Sequence, residues 1–557
     1  MILLTFGSTI IGILAFIFVL GSIILIHEGG HFYFALKCGV LCREYAFGMG
    51  PRLWGRKKGE TMYAINAFPI GGYCAIAGEE KELDPLMDNK EVRLVIEDDI
   101  VKKICFEVDN PLFKDIPLYG LKDYDLYDEN NTGDLYINTI KEQEDGFIEH
   151  KYKVDSKAEY IYCTTKNISK IKEDKKDKYV GSLQIAPYNR QLNSKSLGSR
   201  AMVMFGGPMM NFVLAIVVFI LSAFIMGVSN TKSTLLSSVT VGTPAYNAGL
   251  KENDQIYQLI AKSSSGDLVV ETNEWEDISS FMDSFANGDY DSTIIVKYYE
   301  NGDVNNKKEV SLKPMTFIYS ISMYEDITSD EVKIAPLSKS SKAYKAGLRE
   351  GDVIKSVNGV SVTTWKDVYK EFAKVKDANI NVSIEVIRDG EELTYSVVPY
   401  SKKLFERTQN VEYVSMQIGI SPTTTRNPLL CIAGAFKNMY SCVKQLLVTL
   451  WMLIVSSEVG LKDLSGVVGI FSLTSSAAQN GFGYLLYWMG FLSVNVGFMN
   501  LLPIPALDGG RLFFLLIEAI RKKPVSQKVQ DMSINITMIL LYALIAYTIV
   551  NDIIRLL

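Results

Sequence analysis

Long apolar stretches alternate with polar ones along the chain, and the two kinds of segment predict different surroundings. Residues 1–26 hold no charged side chain and are mostly Ile, Leu, Phe and Val, and a run of about 20 such residues crosses a bilayer. No basic segment precedes the run and no small-residue cleavage site follows it, so it reads as a retained helix within residues 1–36 rather than a signal peptide. Three more uncharged spans are predicted at 202–228, 484–502 and 534–550. Residues 446–455, after Lys444, offer only about ten unbroken apolar positions, which predicts an interfacial or re-entrant helix within 428–470. The fold class expected is therefore a multi-pass α-helical membrane protein of four spans.

Basic residues orient those spans. Lys37, Arg43, Arg52, Arg56, Lys57, Lys58, Lys195, Arg200, Arg511, Arg521, Lys522 and Lys523 all fall on one side of a four-span arrangement. That side is expected to be cytoplasmic, with both termini and residues 229–430 outside.

The outer stretch repeats itself. Ala245-Tyr-Asn-Ala-Gly-Leu-Lys-Glu-Asn-Asp-Gln-Ile256 matches Ala343-Tyr-Lys-Ala-Gly-Leu-Arg-Glu-Gly-Asp-Val-Ile354, and Trp275 matches Trp365. A helix opened by each Trp, a strand over Asn381–Ile387 and a turn at Asp389-Gly390 are predicted. The units are expected at 229–315 and 320–402, each α+β. Residues 79–187 differ: rich in Lys, Asp, Glu and Tyr, with strand-like runs at Tyr136–Ile140 and Tyr160–Thr164, they predict a cytoplasmic, β-rich insert.

Composition narrows the chemistry. A net charge of −6 without a basic stripe excludes a nucleic-acid partner. Seven scattered cysteines give no disulfide framework and no zinc knuckle, and Cys38 and Cys42 read as small apolar residues of one helix. Three histidines remain, and two of them, His27 and His31, sit four apart in an apolar helix with Glu28 after the first. On a helix that spacing puts both imidazoles on one face, able to bind one metal ion, with the glutamate beside the metal-bound water. Ionisable groups at membrane depth are costly and usually functional; the alternative is hydrogen bonding to neighbouring helices. His150 reads as a surface histidine.

A catalytic zinc needs a third protein ligand. Asp508 is the best placed, in Asn500-Leu-Leu-Pro-Ile-Pro-Ala-Leu-Asp-Gly-Gly-Arg511, where two prolines break a helix and two glycines permit tight turns. An N-cap role for Asp508 is its bland alternative, and Glu518 is the poorer ligand candidate.

With these residues in view, the chain resembles the site-2 protease family of intramembrane zinc metalloproteases, in its bacterial, regulator-of-sigma-E-protease-like branch with two PDZ domains. His27–His31 is similar to the family's helix-borne HExxH, and Asn500–Gly510 to its N-x-x-P-x-x-x-x-D-G motif. Phe47–Pro51 and Ile70–Tyr73 resemble a membrane-re-entrant β-hairpin, expected over 43–78, and Gly207-Pro208-Met-Met-Asn211 the second-span motif. The resemblance implies a Zn²⁺ cofactor on His27, His31 and Asp508, with Glu28 as catalytic base. It implies cleavage of single-span membrane proteins, such as pre-cut anti-sigma factors or remnant signal peptides, near the cytoplasmic leaflet of a bacterial plasma membrane. Gly71 and Gly72 would offer the substrate an edge strand. Asn500 or Asn211 would hold its backbone, or else bond helix to helix. The PDZ-like pair would bind peptide or protein ligands. Three departures stand out: Val467 in place of a common Pro, Asn253 where the second repeat has Gly351, and the insert itself. A membrane-anchored PDZ receptor with a vestigial metal site and a zinc-dependent transporter are the rival readings.

Overall fold

The computed structural model describes residues 2–79, 84–128, 133–143, 146–164, 179–339, 341–375, 380–400, 413–455, 460–461 and 464–556. Parts of the expected insert (80–83, 129–132, 144–145, 165–178), of the second repeat (340, 376–379, 401–402) and of the 428–470 region (456–459, 462–463) lie outside the described residues. The chain forms two compact units, Met1–Val218 with Ser465–Leu557, and Phe219–Leu464.

The first unit begins with helix α1 (Ile2–Lys37). It stops at Lys37 because Gly39 takes a left-handed φ of 68°. Cys38 therefore lies past the helix and Cys42 opens the next strand, which corrects the reading of both as helical. Strands β1 (Cys42–Lys58) and β2 (Thr61–Ile76) follow, and β2 flanks the first half of β1 on both sides: Tyr45 sits opposite both Tyr63 and Cys74. The far side of Gly72–Ile76 pairs with no other strand among the described residues. Tyr45 fastens this hairpin to α1, its hydroxyl donating to the Leu25 carbonyl at 2.7 Å and its ring lying 5.2 Å from Phe32.

The insert folds around its own core. Strands β3 (Glu91–Glu97), β4 (Ile100–Cys105), β5 (Leu118–Asp125), β6 (Tyr136–Gln143), β7 (Gly146–Cys163) and β8 (Val180–Gln184) run β4-β3-β5-β6-β7-β8. Strand β4 also pairs parallel with β7, so the sheet closes on Val92, Leu94, Val101, Ile104, Ile137 and Val154. Closure removes the edges of these strands, leaving β8 as an outlier. The insert is tied to the hairpin turn, where the Glu60 carboxylate accepts from Arg190 at 2.7 and 2.8 Å and from Gln184 at 2.7 Å.

Helix α2 (Leu197–Met226) runs back along α1. The two touch at glycines: a Cβ on Gly30 would lie 2.2 Å from the Gly206 carbonyl oxygen. Such contacts need small residues, because any larger one holds the backbones apart.

The second unit repeats one plan. Gln255–Ala261 lies between Leu268–Glu271 and Ile294–Tyr299, with Lys307–Leu312 outside, and helix α3 (Trp275–Asn287) packs on them. Val353–Val357, Val360–Ser361, Val382–Arg388 and Glu391–Val397 take the same order with helix α4 (Trp365–Ala373). Both helices open on the expected Trp and carry a capping box. The boundaries 229–315 and 320–402 need correction. Leu236–Val239 pairs with Ile420–Pro422, and Met315–Ile318 with Ser415–Gln417, so the first repeat is completed by chain that follows the second. Pairing between segments this far apart leaves no local pattern to read.

Asn253 fills the turn that Gly351 fills in the second repeat, at φ 70° against 86°, and Asp254 and Asp352 each accept the amide three residues back at 2.8 Å. Asn tolerates this left-handed conformation better than other side chains. Helix α5 (Pro428–Val455) is 28 residues long and falls within the 428–470 region where an interfacial or re-entrant helix is expected. Lys437 and Lys444 interrupt the apolar run but are seven apart, on one face, so they do not break the helix.

Back in the first unit come α6 (Val467–Gln479), α7 (Phe482–Leu501), α8 (Asp508–Arg521) and α9 (Gln527–Leu556). Among the described residues, five helices (α1, α2, α5, α7 and α9) are long and apolar enough to cross a membrane, the four expected spans and α5. Replacing Asn253 by Val should lower the unfolding free energy of the second unit by roughly 1–2 kcal/mol, while Gly there should be nearly neutral. Urea unfolding of the purified chain, followed by tryptophan fluorescence, measures both.

Candidate active site

Helix α1 carries His27, Glu28 and His31 within little more than one turn, so both imidazoles leave the same face. Asp508 arrives from the other end of the sequence. Leu502–Leu507 is kept out of helix by Pro503 and Pro505, and α8 restarts at Asp508. The restart is folded tightly on itself: a Cβ on Gly509 would meet the Leu502 carbonyl oxygen at 2.2 Å, and one on Gly510 the Ile504 oxygen at 2.2 Å. Only glycines allow this return, which places the carboxylate against α1.

Three atoms then converge. His27 Nε2 and His31 Nε2 are 3.3 Å apart, and Asp508 Oδ2 lies 3.2 and 3.4 Å from them. Asp508 Oδ2 is buried and receives no hydrogen bond from the described residues. Ligands about 2.0–2.1 Å from a tetrahedral ion are separated by about 3.3 Å, so the donor set fits zinc. His27, His31 and Asp508 are the cluster of metal-ligating type found among the described residues. Space for it depends on Gly207, where a Cβ would meet His31 Nε2 at 2.3 Å and His27 Cε1 at 2.8 Å.

Helix α2 also touches the imidazoles from behind. His31 Nδ1 lies 2.8 Å from the Val203 carbonyl oxygen, and His27 Nδ1 3.2 Å from the side-chain amide of Asn211. Beside the cluster opens a cavity of about 520 Å³, walled by Glu28, the strand Gly72–Ile76, Asp508 and Arg511. Glu28 and Cys74 line this cavity together. Arg511 pairs with Glu79 across the same cavity.

Of the residues expected to hold substrate, Gly72 lines the cavity and Gly71 sits one step outside it, at φ 84°. Asn211 is wholly buried against His27, and Asn500 is half-buried at the end of α7. Neither asparagine is among the residues that line this cavity. The alternative ligand Glu518 is engaged by Arg200 at 2.9 Å, and His150 is an exposed partner of Asp99. Sequence reasoning did not reach Gly207 as a spacer, the Val203 carbonyl or the Arg511–Glu79 pair. The Gly206-Gly207-Pro208 run was the one visible signal for the first.

The Peptidase family M50 model matches residues 15–544. The chain belongs to this family. It is 29% identical over 520 residues to the zinc metalloprotease RasP of Shouchella clausii, covering 92% of each chain. It is 27% identical over 547 residues to the regulator of sigma-W protease RasP of Bacillus subtilis, covering 98% of each. With a putative zinc metalloprotease, SACOL1281, of Staphylococcus aureus it shares 27% identity over 559 residues, covering 98% of this chain and 99% of the other. For this M50 chain the glycine spacing makes a direct prediction. Gly207→Ala should reduce the zinc content of the purified protein at least about tenfold with helical circular dichroism unchanged, because even small displacements of ligands cost that much affinity.

Proposed function

We propose that this M50 peptidase is an intramembrane zinc metalloprotease, with His27, His31 and Asp508 as zinc ligands and Glu28 as catalytic base. The observation that carries the reading is the convergence of those three ligand atoms within 3.4 Å, beside a carboxylate that faces an open cavity. A closed structural site needs no base, which disfavours the vestigial-site reading. Zinc bound there supplies Lewis acidity, polarising the scissile carbonyl and acidifying water. Glu28 takes the proton of the attacking water and later delivers it to the leaving amine. Strand Gly72–Ile76, unpaired on the cavity side, supplies main-chain groups that hold an unwound substrate segment as an added strand. A substrate helix has to open first, since its carbonyls are otherwise hydrogen-bonded within it. The repeats act as PDZ-like domains that engage the outer parts of substrates or partner peptides. The substrates are single-span membrane proteins, pre-cut anti-sigma factors among them, in keeping with the name of the Bacillus subtilis relative.

The four-span topology is part of this proposal, with the active site towards the cytoplasmic leaflet. On this reading the chain leaves the first unit, and returns to it, on the side of the membrane away from the cytoplasm. Val218 packs with Ala15 and Val19, and Gly469 N–H bonds Asp552 near the end of α9, while Gly12 abuts Ser475. The chain between the two exits therefore crosses the membrane an even number of times. Among the described residues between α5 and Ser465 there is no further helix long enough for a return crossing, and a crossing needs a helix because lipid leaves other backbone unsatisfied. It lies along the interface.

Glu28→Gln should slow cleavage of a co-expressed single-span reporter by roughly 10²–10⁴-fold while zinc stays bound; full activity with zinc present would remove Glu28 from the mechanism. A cysteine placed at Gly460 in an otherwise cysteine-free chain should label from outside the cell only. Labelling from the cytoplasm alone would make α5 a span and break the topology.

A further inference from the structure

The two zinc-binding imidazoles are not equivalent from behind. Val203, Gly207 and Asn211 recur every four residues and so share one face of α2, the face turned to His27 and His31. Val203 serves His31 through its main-chain carbonyl, a group every residue has, whereas Asn211 serves His27 through its side chain. Asn211 is wholly buried, its Nδ2 stands 3.2 Å from His27 Nδ1, and its Oδ1 has no hydrogen-bond partner. As placed, the arrangement sets donor against donor. His27 Nε2 points at His31 Nε2 and Asp508 Oδ2, so it must offer a lone pair there, and a neutral imidazole then carries its proton on Nδ1. The oxygen and nitrogen of an amide are interchangeable in shape, so their assignment follows from the bonding around them. Exchanging the two ends puts Oδ1 where it accepts the Nδ1–H and leaves no stranded acceptor.

We propose that Asn211 is a positioning residue of the metal centre, whose side-chain carbonyl receives His27 Nδ1–H and holds that imidazole with Nε2 aimed at the zinc. The surroundings fix Asn211 in turn. Ser493 of α7 donates its hydroxyl proton to the Asn211 main-chain carbonyl at 2.8 Å, and a Cβ on Gly497 of the same helix would lie only 3.1 Å from the Asn211 Cβ. Asn211 thereby ties His27 to α7, the helix that leads into the Asp508 turn. Its role is to orient a ligand, not to meet the peptide, in keeping with its absence from the cavity wall. Partners of this kind stiffen the ligand and raise its basicity, and removing one typically weakens metal binding 10–100-fold.

The inference rests on the zinc reading above, and its test separates the two. Zinc affinity is measured on the purified full chain in detergent, without substrate, by dialysis against metal buffers and determination of residual zinc. Asn211→Leu keeps the shape and removes the acceptor, and is expected to bind zinc about 10–100-fold more weakly than wild type. Asn211→Asp restores an acceptor and is expected to recover affinity to within about threefold, since carboxylates serve zinc-bound histidines equally well. Wild-type affinity in the Leu variant overturns the inference and leaves zinc binding intact. So does an Asp variant as weak as the Leu one, which marks a packing role. A wild-type chain that takes up no zinc overturns the metal reading and this inference with it.

Discussion

Ionisable groups are tolerated inside an apolar helical bundle only when each finds a partner. Here a carboxylate and two imidazoles have to meet one another, and most of the nearby architecture follows from that requirement. The imidazoles come from one turn of α1, but the carboxylate is more than 470 residues away and must be brought back to within 3.4 Å. Glycine makes the approach possible three times. Gly30 and Gly206 let α1 and α2 touch, Gly207 leaves room for the imidazoles, and Gly509 and Gly510 let α8 restart against the broken end of α7. Any side chain at these positions would enter space already held by backbone or ligand.

The same requirement shapes what lies beside the site. A peptide bond inside the membrane must have its main-chain groups bonded before and after it is exposed. The wrapped hairpin answers this by laying Gly72–Ile76 along the cavity with one side unpaired, and Tyr45 holds the hairpin to the helix that carries Glu28. Its turn is held from the other direction by the insert, through Glu60, Arg190 and Gln184. The closed barrel thus has one structural role that can be named: it braces the strand on which a substrate would lie.

Much of this was legible in the linear order of residues, because the signals involved are local. Apolar runs mark helices, HExxH on a helix fixes the mutual placement of three groups, and proline and glycine flank the third ligand. The repeat announced itself by identities at matching positions, down to the Trp that opens each helix. What failed were the statements that depend on distant pairing. The first repeat borrows Ile420–Pro422 from beyond the second. Asn211, one of two asparagines expected to hold substrate, is turned onto His27.

The sequence by itself determined the chemistry: which residue types could hold zinc, which could act as base, and which segments belong in lipid. Each follows from side-chain properties and from spacings of a few residues, which helical geometry converts directly into position. The tertiary structure carried Asp508, the carboxylate that the flanking prolines and glycines favoured, across to the histidines and gave Glu518 to Arg200. It also decided which side of α2 stands behind the imidazoles and where each repeat begins and ends. Those outcomes depend on close approaches and strand pairings between segments hundreds of residues apart, where packing alone selects among partners that look alike in sequence.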